Sequence, residues 1–152
     1  MFERILVGFD GSPTARRAVQ AASEIAQHFQ STLTVAVVRP TDRGEEAARL
    51  DALVPLAEDG RSLVTILEEV RERALAHGAR AVIPVTLHGD VLECLLDYLS
   101  RSPQDLVVVG SRGLSRGRRL LLGSVSTGLV NSAHCPVLVV RPGPPHAPKP
   151  GS

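Results

Sequence analysis

The stretch DLVVVGSRGLSRGRRLLLGS, residues 105–124, joins a run of aliphatic residues to a segment rich in glycine and arginine. A short, continuous apolar run such as LVVVG is typical of a strand that is covered on both faces in a parallel sheet. Gly123 and Ser124 stand where a helix is predicted to begin, and the free N–H groups and dipole of a helix start favour an anion. We therefore predict a buried strand, a glycine-rich loop and a helix start suited to phosphate.

Strand and helix patterns alternate along the rest of the chain. Strands are predicted over 3–9, 31–40, 79–88, 105–110 and 136–141, and helices over 14–29, 61–78, after Asp90 and from about Ser124. Ser12 and Pro13 are a favourable N-cap and first helical residue, whereas residues 41–60 give no clear prediction. The alternation predicts an α/β fold with a parallel sheet between two helical layers. The strand that contains Pro84 is expected at an edge, because proline cannot donate to the sheet.

Composition limits the class of protein. The chain of 152 residues is 43% hydrophobic with a formal charge of +1, which suits one globular domain and gives no reason to expect nucleic acid as a partner. We predict a domain over 1–142 and a disordered, proline-rich tail over 143–152. No apolar run approaches the length of a membrane helix. Cys94 and Cys135 form no CxxC pair, so neither a disulfide framework nor a zinc site is expected, and the cytoplasm is the default location. Cys94 is predicted to be a small buried side chain.

Two loops are expected to face the same crevice. In doubly wound sheets, ligands bind beyond the carboxyl ends of the strands, and FDGS (residues 9–12) and the loop after Gly110 both follow presumed central strands. Gly110 and Gly113 can adopt backbone angles closed to other residues, which would let their amide groups turn toward a ligand. Ser124 and Ser126 add hydroxyl donors, which makes a polyphosphate the expected ligand. The arginines Arg116, Arg118 and Arg119 are interpreted as solvated loop charges rather than ligands.

The glycine pattern, placed between ILVGFDGS and CPVLVVR, resembles the ATP-binding branch of the universal stress protein family over residues 2–141. The resemblance implies a three-layer, Rossmann-like fold similar to the adenine nucleotide alpha hydrolases, with a five-stranded parallel sheet in the order 3-2-1-4-5. It also implies ATP across the first and fourth strands, with Mg²⁺ or Mn²⁺ held on the phosphates alone. Another adenine nucleotide, such as AMP or a cyclic form, is the alternative ligand. The residues that the resemblance places at the nucleotide are Gly8, Phe9, Asp10, Val37, Gly110, Ser111, Arg112, Gly113, Gly123, Ser124, Val125 and Ser126.

The leading hypothesis is a homodimeric ATP-binding sensor of the stress response with little or no hydrolysis. Hydrolysis needs a residue that orients water beside the terminal phosphate, and the glycine-rich loop contains neither carboxylate nor histidine. One alternative is a slow ATPase or another nucleotide-dependent enzyme, and a second is a dimerisation domain without a ligand. Asp10 is equally suited to accept a hydrogen bond within its own loop, as in an Asx-turn.

The strand from Pro136 to Arg141 predicts a partner. Its core, PVLVV, carries no charge and is expected at a sheet edge, where it would promote aggregation unless it were covered. The same strand of a second copy, related by a two-fold axis, is the simplest cover, and similar proteins of the family commonly dimerise in this way. The alternative is that the proline-rich tail folds over this strand.

Overall fold

The computed structural model describes residues 1–39, 63–111 and 122–143. Its strands are β1 (Arg4–Gly8), β2 (Thr32–Arg39), β3 (Ala81–His88), β4 (Leu106–Gly110) and β5 (Val137–Val140). Its helices are α1 (Pro13–Phe29), α2 (Leu63–Ala76), α3 (Val91–Arg101) and α4 (Ser124–Ser132). The predicted alternation of strand and helix is therefore confirmed in the part of the chain that the structure covers.

The five described strands form one parallel sheet in the order β3-β2-β1-β4-β5. The most apolar strands, β1 and β4, are neighbours, with Val7 paired to Val35 on one side and to Val108 on the other. β3 lies at one edge, as Pro84 predicts, and β5 lies at the other. The order reverses between β1 and β4, which makes the carboxyl ends of these two strands the expected ligand position.

The two faces of the sheet carry separate cores, because side chains alternate along each strand. In β1, Ile5 and Val7 point to one face and Leu6 points to the other. The first core contains alanines of α1 and Ala74 of α2, whereas the second contains Leu95 of α3 and Leu129 of α4. Helices therefore cover both faces, which confirms the three-layer architecture.

Local capping sets the helix ends. Ser12 accepts a hydrogen bond from the Ala15 amide at 3.2 Å at the start of α1, and Asp90 accepts one from the Glu93 amide at 3.0 Å at the start of α3. α1 ends at Gln30, which adopts a left-handed conformation with φ 54°. Such caps satisfy backbone groups that have no partner inside the helix.

Two contacts tie distant parts of the chain together. The Asp105 carboxylate, just before β4, accepts hydrogen bonds from the amides of Glu3 and Arg4 at 3.0 and 2.8 Å, which anchors the start of β1. On the opposite helical layer, α4 approaches α3 at Gly128, where a Cβ would lie 2.2 Å from Cδ2 of Leu92. Any side chain at position 128 would therefore require the Leu92 side chain to move.

Candidate functional site

The carboxyl ends of β1 and β4 lie side by side, and α1 and α4 begin close to them. Parallel pairing of β1 with β4 brings the loop that follows Gly8 and the residues that follow Gly110 to the same edge of the sheet. The structure thus juxtaposes the two segments that the sequence analysis expected to face one crevice. Of the predicted site residues, Arg112 and Gly113 lie outside the described ranges, as do Arg116, Arg118 and Arg119.

Asp10 organises the loop after β1. Its carboxylate accepts a hydrogen bond from the Ser12 amide at 2.9 Å, which is the Asx-turn geometry, and Gly11 between them has φ 84°. The Asp10 side chain is exposed at the carboxyl end of β1. The Asx-turn interpretation of Asp10 is therefore confirmed.

The side chains of Phe9 and Val37 belong to the core on the α1 face of the sheet. They are 3% and 4% exposed, and both belong to the cluster that contains Ile5 and Val7. The Phe9 amide donates to the Ala36 carbonyl at 2.9 Å, so the main chain of residue 9 continues the β1–β2 pairing. The Phe9 ring is accordingly a component of the core in this structure.

Gly110 is constrained by a neighbouring helix. A Cβ at this position would lie 2.7 Å from Oγ1 of Thr14 and 2.9 Å from the Thr14 backbone carbon. The described glycines with positive φ are Gly11, Gly78 and Gly89, so Gly110 does not use the backbone freedom that the sequence analysis considered for it. The physical requirement is close approach of α1 to the end of β4, and the sequence analysis missed Thr14. Its only sequence signal is its place two residues after the N-cap of α1.

The first turn of α4 has no side-chain cap. Gly123 is the N-cap residue, with φ −60° and ψ 159°, and it has no side chain that could accept from the first amides of the helix. The Gly123 amide itself donates to the Ser111 carbonyl at 2.7 Å, and the first intrahelical bond runs from Thr127 to Gly123 at 3.0 Å. The amides of residues 124–126 therefore have no acceptor inside the helix, and Gly123 gives them no side-chain cap.

Ser111 places a buried hydroxyl beside this helix start. The residue is 3% exposed, its amide donates to the Val140 carbonyl at 2.8 Å, and its Oγ has no hydrogen-bond partner among the residues that the structure describes. A buried polar group without a partner is costly, so such groups are uncommon in folded proteins. The Ser111 hydroxyl thus adds an unused donor and acceptor next to the uncapped amides of α4.

Ser126 differs from its predicted role. Its hydroxyl donates to the Gly110 carbonyl at 2.8 Å, and the residue is 2% exposed. A serine hydroxyl has one proton, and here the protein itself uses it. The expectation that the Ser126 side chain donates to a phosphate is therefore wrong for this arrangement. Ser124, the first residue of α4, is exposed and keeps its hydroxyl at the surface of the site.

The described residues contain no cluster of metal ligands, and their two cysteines are free. Among residues 1–39, 63–111 and 122–143, no group of three or more His, Cys, Asp or Glu could hold a metal ion. Cys94 is partly exposed rather than buried, because it lies at the start of α3, where its thiol donates to the His88 carbonyl at 3.3 Å. Desolvation, together with Asp90 and other nearby carboxylates, raises the pKa of this thiol.

No helix in the described part of the chain is long and apolar enough to cross a membrane.

Comparison with protein families matches the universal stress protein family model to residues 1–141. The chain belongs to the universal stress protein family. A universal stress protein of Thermus aquaticus is 36% identical over 144 residues, which covers 93% of this chain and all of the relative. Universal stress protein UspA from Lactobacillus plantarum has a TM-score of 0.79 at 25% identity, covering 92% of this chain and 98% of that structure.

A further universal stress protein structure was solved in complex with cAMP. It has a TM-score of 0.69 at 29% sequence identity and covers 91% of this chain and 97% of its own. The universal stress protein fold with this strand order therefore supports the family assignment independently of the glycine pattern in the loop after β4.

Proposed function

We propose that this universal stress protein binds ATP at the carboxyl ends of β1 and β4, as a nucleotide sensor rather than an efficient enzyme. The uncapped start of α4, next to the orphaned hydroxyl of Ser111, is the observation that carries the proposal. The phosphates would accept from the amides of Ser124, Val125 and Ser126. Each hydrogen bond to a charged group contributes about 1.5–3 kcal/mol net, so three approach the ~8 kcal/mol of micromolar affinity.

The β1 side of the crevice would hold the nucleoside. Asp10 presents an exposed carboxylate there, and a carboxylate is a good acceptor for ribose hydroxyls. The complex of a related universal stress protein with cAMP supports an adenine nucleotide as the ligand class. In this arrangement the main chain near Gly8 and Phe9 lines the nucleoside end, and Arg112 and Gly113 belong to the phosphate end.

A divalent cation, Mg²⁺ or Mn²⁺, would bind through the phosphates. The described residues proposed at the phosphate end are glycines, serines and Val125, which supply no carboxylate for a protein-bound metal. The cation would neutralise part of the triphosphate charge when it is bound. This composition also supports slow hydrolysis, because residues 110–126 contain neither a carboxylate nor an imidazole that could orient water.

We also propose that the protein is a homodimer through β5. This strand is at the sheet edge, and Val137–Val140 carries no charged residue to prevent pairing. Leu138 is 37% exposed, and Val130 on the adjacent helix α4 is 52% exposed. A second copy that pairs through the same strand would cover both apolar side chains.

The cytoplasm is the proposed compartment, which is consistent with two cysteines that are free in the structure.

Calorimetric titration tests the proposed ligand. Wild-type protein is titrated with ATP, AMP, cAMP and adenosine, each with Mg²⁺, and the affinity is expected to be highest for ATP. Adenosine is expected to bind at least about tenfold more weakly, because it makes none of the bonds to the α4 amides. Equal affinities for ATP and adenosine, or no heat with millimolar ATP, would overturn the proposal. Phosphate release in the same samples separates a sensor from an ATPase, and rapid turnover would exclude the sensor.

A further inference from the structure

The serine at the third position of α4 connects the helix to the end of β4. The Ser126 hydroxyl donates to the Gly110 carbonyl at 2.8 Å, and the Gly123 amide donates to the Ser111 carbonyl at 2.7 Å. The carbonyls of Gly110, the last residue of β4, and of Ser111, which follows it, therefore receive hydrogen bonds from the start of α4. The segment 112–121 joins these elements along the chain, but the two hydrogen bonds fix the helix start directly to the strand end.

The end of β4 is a fixed reference point. Gly110 is in contact with Thr14 of α1, and the Ser111 amide is bonded to the Val140 carbonyl of β5 at 2.8 Å. Contacts with α1 and with β5 thus fix the position of the backbone at the end of β4. A side chain that bonds to the Gly110 carbonyl transmits that fixed position to the helix that carries it.

We infer that Ser126 is a positioning residue, which aims the first-turn amides of α4 at the nucleotide phosphates. This inference rests on the proposed function. The hydroxyl proton is bonded to Gly110 and the residue is 2% exposed, so its side chain acts through the geometry of the helix rather than by donating to the ligand. Hydrogen-bond strength depends steeply on distance and angle, so a small displacement of these amides weakens several phosphate contacts together.

The inference predicts a selective loss. Ser126→Ala removes the bond to Gly110, and ATP affinity is expected to fall by about tenfold or more, because the phosphate contacts of several displaced amides weaken together. Adenosine affinity is expected to change by less than about twofold, since the nucleoside lies at the β1 end and makes none of the bonds to the α4 amides. The ratio of ATP affinity to adenosine affinity is therefore the decisive readout, and a general loss of stability does not change it.

A matched control is available in α1. Ser23 is also buried, and its hydroxyl donates to the Val19 carbonyl at the same 2.8 Å, but this bond lies within one helix. Ser23→Ala is expected to lower thermal stability while leaving the affinity ratio unchanged. If Ser126→Ala does not fold, Ser126→Cys keeps the volume with a weaker donor and is expected to lower the ratio in the same direction.

The outcomes are distinct. A wild-type protein that does not bind ATP overturns the proposed function and this inference together. Wild-type binding with an unchanged ratio in the Ser126 variants overturns only the inference. Equal loss of ATP and adenosine binding in Ser126→Ala also overturns it, because that result indicates a general structural role. A reduced ratio in the Ser126 variants, with Ser23→Ala unchanged, supports it.

Discussion

Gly110 and Thr14 are in such close contact that a single methyl group does not fit between them. A Cβ on Gly110 would lie 2.7 Å from Oγ1 of Thr14 and 2.9 Å from its backbone carbon. This contact brings the first turn of α1 against the end of β4, on the strand that is central to the proposed site. The separation of the two segments is therefore set by the absence of a side chain at position 110.

Gly110→Ala is expected to lower the free energy of unfolding by about 1–3 kcal/mol, the usual range for an overpacked site. The backbone atom in the contact cannot rotate away, so Thr14→Ser gives little rescue. Urea denaturation measures the loss. Gly8→Ala is the matched control, because its nearest neighbour is Cγ1 of Val109 at 3.3 Å and the loss there should be smaller. Equal losses at the two glycines would contradict the proposed contact.

Gly128 on α4 gives a second steric prediction, in which the effect of one substitution on stability changes sign when Leu92 is shortened. Gly128→Ala collides with the Leu92 side chain, with a Cβ 2.2 Å from Cδ2, and is expected to destabilise by about 1–2 kcal/mol. In a Leu92→Ala background the clash is gone, and the same change should stabilise by roughly 0.5–1 kcal/mol through helix propensity. A double-mutant cycle by chemical denaturation measures both values. Additive effects would show that the two residues are not in contact.

Much of the fold could be predicted because its signals are local. The Ser12–Pro13 pair marks the start of α1, and Pro84 identifies an edge strand by chemistry that does not depend on neighbours. The reason for glycine at position 110 could not be predicted, since it depends on a contact with Thr14 that is remote in sequence. The same holds for the hydroxyl of Ser126, which is directed to a carbonyl rather than to the crevice by the packing of α4 on the sheet.

Gly123→Asp is expected to have opposite effects on stability and on binding. The backbone angles of Gly123, φ −60° and ψ 159°, nearly match those of Ser12, which caps α1. An aspartate at this N-cap should accept from the first-turn amides and raise the stability of the ligand-free protein by a few tenths of a kcal/mol. ATP affinity should fall at least about tenfold. The carboxylate would take the amides that are proposed to bind the phosphates, and its negative charge would repel the phosphates. Thermal melting and calorimetry test the two effects.

Gly123→Asn separates competition from charge. Its amide oxygen caps the helix without a negative charge, so ATP affinity should fall less than in Gly123→Asp. Unchanged ATP affinity in both variants would place the phosphates away from α4. Tighter ATP binding in the aspartate variant would contradict the proposed site in the same way.

The two cysteines are expected to be unreactive at neutral pH. Desolvation is the main cause that raises the pKa of Cys94, with added effects from Asp90, Asp97 and Glu93, and desolvation also raises that of Cys135. Since the thiolate is the reactive form, alkylation by iodoacetamide at pH 8 should be slower than for free cysteine. A thiol whose pKa is higher in the folded state than in the unfolded state also makes stability depend on pH. The folded protein loses stability as the pH rises above the pKa of the unfolded thiol, because the folded state then holds the proton that the unfolded state releases.

Asp90→Asn provides the control for the thiol chemistry. The amide oxygen can still cap α3, but the carboxylate charge that raises the pKa of Cys94 is removed. Labelling of Cys94 should therefore accelerate while labelling of Cys135, whose pKa Asp90 does not affect, stays constant. Mass spectrometry of the labelled peptides gives both rates. Equal acceleration at the two cysteines would indicate local unfolding instead.

Leu138→Lys is expected to convert the proposed dimer into monomers. The substitution places a charge on the exposed edge strand β5, where two copies would bring like charges together. Ile83→Lys is the matched control, because Ile83 is 47% exposed on β3, the opposite edge of the sheet, and the dimer should persist. Light scattering coupled to size-exclusion chromatography measures the mass. A wild-type monomer, or dissociation by both variants, would contradict pairing through β5.

The anchoring of the first strand has a consequence for biosynthesis. Arg4 bonds to Asp105, which is 101 residues later in the chain, and β4 follows directly after this aspartate. On the ribosome, β1 can pair with β2 early, but its other side stays open until the segment 106–110 emerges. One side of this strongly apolar strand therefore has no partner until β4 has been synthesised. We expect the nascent chain to be prone to misassembly during that interval.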